Sequence, residues 1–433
     1  MKRLFVFVFL LAIIGFPSVI NAQIDNMANM SAKWIRSNAR NAALEGTDIV
    51  NYNPAGLVKL NNGFHISLNN QSLFRHPQHT FNLGAGEQTC KQGGPDLLLP
   101  AIYAAYKKDK WALSTALYVT GGGASAYFPD GSVNTNMIGY RFMALTNAAY
   151  GTGYTSLKDQ YLKASSYYLA IPITFSYSIT DKLALSLGGR YLIANNHTKA
   201  SLILSGSTVS APDSYVSIDY KNKATGFGGI IGVNYSVNEK LNIAAHYETK
   251  VKLEFKAEDN KGTVKTYIPD GKKSNRDLPA VLYTGVSYKF NKKFIAALDF
   301  NYYFQKDANW GSIGDSVKVS SAAGNAYHFA LSFDYQILPK LQVSVGGKYL
   351  HFNYDNLDLY YTQLGAYEVV KYDNLYFGLG AGYSLTEKIK IDFGVGRIFW
   401  SDKKIKAENW PTRTDVSVSS KAYDVAIGVD ISF

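Results

Sequence analysis

The seven histidines, His65, His76, His79, His197, His246, His328 and His351, are strewn singly along 433 residues. Hydrolysis by a serine nucleophile needs serine, histidine and a carboxylate within hydrogen-bond reach. No Gly-x-Ser-x-Gly elbow and no His-x-x-x-His pair occurs. His76 and His79 flank Pro77, too few donors for a metal, and Cys90 is the single cysteine, so a zinc cluster and a disulfide are both excluded. Gly84-Ala85-Gly86 lacks the strand–helix setting that cradles phosphate. The expectation is a protein that is not an enzyme and uses no cofactor and no metal. Other residues have a physical task in prospect. Asp299, Asp334, Asp392 and Asp430 fall on the polar side of alternating segments, and Lys33, Arg36 and Arg40 cluster near the N-terminus. Pairing these charges would seat the N-terminal segment, since an unpaired buried charge is costly. The same carboxylates would also suit a water-filled lumen with no specific partner.

The elements that would hold these charges follow from pattern. Met1-Lys2-Arg3, an apolar run over residues 4–16 and Ala22 before Gln23 read as a signal peptide over residues 1–22. Charged residues are 18% of the chain, below the roughly 25% of ordinary soluble domains. Mean hydropathy is only −0.11, too polar for a helical membrane protein, and no later stretch is apolar enough to cross as a helix. The 33 Tyr and 23 Phe suit a membrane–water interface, which favours amphipathic rings.

A repeat counts the elements. Tyr177-Ser178-Ile179-Thr180-Asp181-Lys182-Leu183 recurs in kind at residues 235–241, 288–294, 335–341 and 383–389, with a shorter form at 106–111. Each repeat closes one alternating run with an aromatic, turns with lysine, and opens the next run with an apolar residue. That is a tight β-hairpin with an interfacial aromatic at its foot. Leu183, Leu185 and Leu187 alternate with Ala184, Ser186 and Gly188, giving one apolar and one small or polar wall. Six hairpins plus strands at 63–73 and 421–433 make fourteen. The opposite connections, near 74–97, 122–164, 197–222, 256–279, 306–325, 355–371 and 401–419, are long. The expected fold is all-β, a 14-stranded antiparallel transmembrane β-barrel. Its lumen is too wide for side chains alone to fill, so residues 23–62 are expected to form an N-terminal plug, or hatch, inside a barrel of residues 63–433.

Within that segment Asn53-Pro54-Ala55-Gly56-Leu57 reads as a tight turn, with Gly56 permitting the reversal. A third strand over 111–120 runs into Gly121-Gly122-Gly123, which favours a bulge or kink, or else a flexible start to the following loop. Phe128, Met137, Tyr140, Phe142, Met143, Tyr150 and Tyr154 of that loop suit either an apolar capture groove or a cap over the barrel mouth. The final strand alternates from Tyr423 to Phe433 and ends on an aromatic.

The order of leader, small-residue segment 37–48, Asn53-Pro54-Ala55-Gly56-Leu57 and fourteen strands ending in Phe433 resembles the FadL-type long-chain fatty acid transporter family of outer-membrane barrels. The resemblance implies a plugged barrel with the Asn53-Pro54-Ala55-Gly56 element inside the lumen. It further implies diffusion-driven uptake of hydrophobic small molecules, such as fatty acids or hydrocarbons. Release would be sideways, through a wall opening that corresponds here to Gly121, Gly122 and Gly123. Phe433 resembles the terminal signal read by the outer-membrane barrel assembly machinery. The net charge of +11 sits on turn and loop lysines, which suits either an anionic lipopolysaccharide surface or ordinary solvated loops and gives no nucleic-acid site. A monomer in the outer membrane of a Gram-negative bacterium is expected. Two alternatives remain: a general diffusion porin, and a FadL-like barrel that binds exported proteins in the manner of type IX secretion shuttles.

Overall fold

The computed structural model describes residues 31–433 except 85, 264, 266–267, 314–316, 365–366, 369–371 and 407–413. The leader expected over 1–22 and the first residues of the plug lie outside the described residues.

Fourteen strands close into one antiparallel ring. They are β1 (Gly63–Arg75), β2 (Asp96–Lys108), β3 (Trp111–Phe128), β4 (Ser156–Ser178), β5 (Leu183–Ser205), β6 (Ser214–Ser236) and β7 (Leu241–Glu248). The second half comprises β8 (Ala280–Lys289), β9 (Phe294–Phe304), β10 (Asn325–Leu338), β11 (Leu341–Asn353), β12 (Asn374–Ser384), β13 (Ile389–Trp400) and β14 (Lys421–Ser432). Each strand pairs with its sequence neighbours, and β14 pairs with β1 from His65↔Ser432 to Arg75↔Ala422. The Phe433 amide donates to the Phe64 carbonyl at 2.9 Å, so the closing seam extends to the last residue.

The repeat earns its fourth position at the turns. The side-chain oxygen of Asn238 accepts from the amides of Lys240 and Leu241 at 2.8 and 2.9 Å, and Asn291 accepts likewise from Lys293 and Phe294. Thr180 and Thr386 do the same with their hydroxyls. A short polar side chain that captures its own backbone amides makes a tight turn locally, without help from the rest of the fold. Tyr106, Tyr177, Tyr235, Tyr288, Tyr335 and Tyr383 all face outward at these feet. Along β5, Leu185, Leu187 and Tyr191 are exposed while Ala184, Ser186, Arg190 and Leu192 are buried. In a transmembrane barrel that outer face meets lipid.

Three expected boundaries shift. The third strand does not end at residue 120 but continues to Phe128, which places the glycine run inside it. The segment 197–222 is not a loop: β5 and β6 continue to Ser205 and from Ser214. In their outer parts the apolar residues change sides, Leu202 and Leu204 being buried with Tyr154, so the outward-apolar pattern stops, while Asp219 bridges His197 at 2.8 Å and Lys199 at 3.1 Å across the ladder. The segment 122–164 contains helix α3 (Val133–Tyr150), whose start is fixed by a reciprocal capping box between Ser132 and Thr135. Helix α3 follows two short N-terminal helices, α1 (Ala32–Ser37) and α2 (Ile49–Tyr52).

The outer connections form a cap. Residues Gln78–Asn82, Glu87–Lys91, Lys403–Ile405 and Val416–Ser419 make a separate four-stranded sheet. Phe81, Cys90, Phe128, Met137, Tyr360, Tyr361 and Tyr372 share one buried cluster beneath it. Of the two uses open to Phe128 and Met137, the structure places them in this cap. Burial pushes the Cys90 thiol up to about 12, so it packs as a small hydrophobe rather than a nucleophile.

His79 of the cap is buried against Phe128, with ring centroids 5.8 Å apart, and burial holds its imidazole down at about 4. Its folded value lies below the unfolded value of about 6.5, so its cost to stability is absent above that pH and grows as pH falls toward 4. The cap is expected to loosen over this window by up to about 3 kcal/mol. His79→Phe should retain hydrogen-exchange protection over residues 78–91 at pH 4.5 where the parent loses it. The buried Glu368 carboxyl, raised by burial, acts in the opposite sense and is common to both proteins. Equal loss of protection in both would remove His79 as the cause.

Candidate functional site inside the barrel

The N-terminal segment is held from the strands on all sides. Ser31 caps α1, its hydroxyl accepting from the Trp34 amide at 3.0 Å and donating to Asp48 at 2.8 Å. All six residues of α1 are buried against β1 and β10–β14. The inner wall there is glycine. A Cβ on Gly346 would collide with the Ser37 carbonyl oxygen, and one on Gly378 with that of Ile35. The small wall legible in the sequence is thus the space α1 occupies.

Charge then seats the helix. Lys33 pairs with Asp430 and, at 3.3 Å, with Asp392. Arg36 pairs with Asp334 at 3.1 Å and Asp392 at 3.2 Å, and also donates to Gln342 at 3.0 Å and to Ser344. Arg40 behaves differently from the expected barrel pairing. Its guanidinium turns inward to Asp48 at 2.7 Å, within the same segment. The Asp299 carboxylate is reached instead by the backbone amides of Arg40 and Asn41, at 2.6 and 2.9 Å.

The Asn53-Pro54-Ala55-Gly56 element is entirely buried. Asn53 accepts from the Gly56 amide at 3.2 Å and donates to Asn234 of β6 at 2.9 Å, while Ser176 of β4 donates to the Pro54 carbonyl at 2.7 Å. Gly56 is not in a left-handed conformation. It lies in a 3₁₀ turn over Pro54–Lys59, and a Cβ there would meet the Asn53 amide at 2.5 Å. Its smallness answers crowding, not the reversal expected of it.

Beside this element the wall breaks. The β2–β3 ladder runs from Lys108↔Trp111 to Ile102↔Leu117, and among the described residues no ladder pair joins 96–101 to 118–128. Yet β2 continues on β1 to Asp96, and β3 continues on β4 to Phe128. Between Val119↔Leu169 and Ala124↔Ser166, β3 advances five residues against three on β4. Gly122 absorbs this bulge at φ 94°, and a Cβ there would lie 2.5 Å from the Ser166 carbonyl oxygen. A bulge with two extra residues bends the strand away from its other neighbour. Pro100, on the facing edge of β2, has no N–H to offer. The outer rim of the gap is bridged by side chains: Asp96 pairs with Arg75 of β1 at 2.7 Å and accepts from Ser125 of β3 at 2.6 Å. Leu98, beside the gap, is 77% exposed.

One apolar cluster joins the two features. Ile49, Val50 and Leu57 pack with Leu99, Ala101, Tyr103, Tyr118, Tyr168 and Leu192 around the break. Val251, Leu253, Phe255 and Leu278, from the connection between β7 and β8, fold into the same cluster. Sequence reasoning missed this inward connection because Val251, Leu253, Phe255 and Ala257 alternate with Lys252, Glu254, Lys256 and Glu258, which reads as more of β7, whereas the ring strand ends at Glu248. It also missed a fully buried ion pair, Arg190 of β5 with Glu248 of β7 at 2.6 Å. The signal available was a single formally charged residue on each of two inward faces, Arg190 beside Ser186 and Leu192, and Glu248 beside Ala244 and His246. On the hairpin side, a cavity of about 650 Å³ lies between Ala39–Glu45 of the N-terminal segment and turn residues including Lys182 and Lys240.

A sequence profile of the family described as outer membrane protein transport protein (OMPP1/FadL/TodX) matches residues 142–433. Among solved structures, a FadL homologue of Pseudomonas aeruginosa superposes with a TM-score of 0.66 at 16% identity, covering 97% of this chain and 100% of that one. The Pseudomonas putida toluene transporter TodX gives 0.63 at 15% identity, covering 95% and 100%. The Ralstonia pickettii toluene transporter TbuX gives 0.59 at 16% identity, covering 95% and 99%. At these identities the superpositions establish the fold alone. No curated protein sequence matches the chain.

Proposed function

This chain belongs to the OMPP1/FadL/TodX family of outer-membrane transport proteins, and from that premise we propose that it is a passive channel for hydrophobic molecules. Fatty acids, related lipids and aromatic hydrocarbons of the kind named for TodX and TbuX are the solute classes considered. Residues 1–22 serve as the leader, 23–62 as the hatch and 63–433 as the barrel. The observation that carries the reading is the continuity of apolar contacts from Ile49, Val50 and Leu57 of the hatch to Tyr118 and Val119 at the wall break. A solute gains roughly 0.8 kcal/mol per methylene buried in such a lining, so diffusion down a gradient needs no other energy source. Hatch movement would clear the lumen, and the gap between residues 96–101 and 118–124 would release the solute sideways into the membrane. The chain acts as a monomer, with Phe433 read by the barrel assembly machinery and the basic outer loops facing lipopolysaccharide.

The test uses cells lacking their own hydrocarbon channels. Expression of the protein should accelerate accumulation of labelled toluene or dodecanoate derivatives, and the purified barrel in a planar bilayer should pass little ionic current. Large ohmic conductance without faster accumulation would assign a water-filled porin instead. Neither effect, with tight binding of an exported protein, would assign a docking barrel.

A further inference from the structure

We propose that the lumen selects uncharged apolar molecules, and that Glu248, by neutralising Arg190, denies carboxylates a cation beside the apolar cluster. The proposal rests on the channel reading above and narrows its solute class.

The cluster around the wall break is aliphatic and aromatic. Tyr103 lies against Tyr118 with ring centroids 6.0 Å apart, and Tyr168 against Phe255 at 5.7 Å. Rings so arranged offer flat apolar faces and dispersion contact, and their hydroxyls can donate a hydrogen bond but carry no charge to offset that of an anion. An anionic head group entering here would need a cation. Among the described residues, the buried cations of the lumen are already engaged. Lys33 and Arg36 are held by Asp334, Asp392 and Asp430, Arg40 by Asp48, and Arg75 by Asp96. Lys348 lies over the rings of Trp34 and Tyr376, at 4.8 and 5.4 Å from their centroids.

Arg190 adjoins the cluster. It precedes Leu192 and Ala194 on the same inward face of β5, and the Tyr118 side chain is within its hydrogen-bond reach. Its Nη1 donates to Glu248 at 2.6 Å, and both side chains are buried. Glu248 is fixed in turn. Its strand pairs with β6 at Ile230 and with β8 at Val281, and the Tyr283 hydroxyl donates to the same carboxylate oxygen at 3.4 Å. His246 stacks on Tyr283 with centroids 4.1 Å apart and planes at 9°. A solute carboxylate arriving at Arg190 would therefore meet a resident carboxylate that cannot swing away, and two buried anions on one guanidinium repel. An ester or hydrocarbon of the same length suffers no such penalty.

The experiment compares dodecanoate with its methyl ester, which differ in charge but not in chain. Binding of each to the purified full-length barrel is measured at pH 8 in an uncharged detergent. The wild type is expected to bind the ester at least about ten-fold more tightly than the acid. Glu248→Gln uncovers the Arg190 charge and should tighten the acid relative to the ester by about ten-fold or more. Should that variant fail to assemble, the double substitution Arg190→Met with Glu248→Met keeps the question open to refutation, because it supplies no cation and must still prefer the ester. Equal binding of acid and ester by the wild type would overturn the proposal while leaving the channel reading intact. A folded Glu248→Gln protein with unchanged preference, or a double variant that gains the acid, would overturn it too. Binding of neither probe would take down the channel reading and this proposal together.

Discussion

Removing Gly122 and Gly123 will abolish most uptake of apolar solutes while leaving an assembled barrel. The number of residues matters. Between Val119 and Ala124, β3 carries two residues more than β4. Deleting two brings Ala124 into the register that Val119 already keeps with Leu169. Because side chains alternate with a period of two, an even deletion also leaves every inward residue facing inward. With the bulge gone, β3 loses its bend and can continue pairing with β2 beyond Ile102↔Leu117, so the gap beside 96–101 is sealed by ladder hydrogen bonds. Uptake of toluene by cells should fall at least about ten-fold, a change of about 1.4 kcal/mol in the barrier to passage. Heat-modifiable migration on gels should persist, since the deletion regularises the ladder. A single-residue deletion makes a useful contrast: it would reverse the facing of residues 124–128 and should impair assembly. Unchanged uptake in the two-residue deletion would mean that solutes leave by another route, such as the cavity beside Ala39–Glu45.

The second large effect concerns Arg36. Its guanidinium is 1% exposed and gathers Asp334, Asp392, Gln342 and Ser344 from β10, β11 and β13 onto one helix. Arg36→Met keeps the volume of the side chain and removes the charge, so Asp334 and Asp392 are left with less compensation inside the barrel. Breaking one side of a buried ion pair typically costs about 3–5 kcal/mol. That cost falls on the seating of the N-terminal segment rather than on the barrel ladder, to which Arg36 contributes nothing. The expected outcome is faster proteolysis within residues 38–46 and the appearance of ionic current in planar bilayers, with no loss of the folded barrel. Arg40→Met should differ. Its partners Asp48 and Glu45 lie in the same segment, so it should loosen the segment internally before unseating it. A silent Arg36→Met protein, protease-resistant and non-conducting, would show that the glycine-lined groove alone holds α1.

Much of the architecture is legible residue by residue because it is encoded locally. Thr180, Asn238, Asn291 and Thr386 bind nearby backbone amides, so each of these four hairpins declares itself within seven residues. The lipid-facing residues Leu185, Leu187 and Phe333 are legible because a strand's faces alternate and one face must be apolar. Asp392 was a reasonable partner for Arg36 because a charge on a lumen-facing stripe invites compensation. The same reasoning gave Arg40 a barrel partner it does not use, since its proximity to Asp48 depends on the fold of residues 38–48 and not on either pattern. The outer halves of β5 and β6 are harder to read because Leu202 and Leu204 are covered by Tyr154 and Met143 rather than by lipid, so the apolar residues leave the outward face and the pattern of the membrane band breaks off.

The sequence by itself determined the strand number, the direction of the faces, the closing of the barrel at Phe433 and the presence of inward charges, because period-two patterning and short turns are properties of neighbouring residues. Only the tertiary structure decided where α1 docks, that Gly56 answers crowding, that β3 parts from β2 above Leu117, and that Glu248 neutralises Arg190. The docking of α1 and the Arg190–Glu248 pair, 58 positions apart, depend on closing the ring, and Gly56 is crowded by Asn53 and Ala43 only once the N-terminal segment has folded; no local pattern records which of many inward side chains will then face one another.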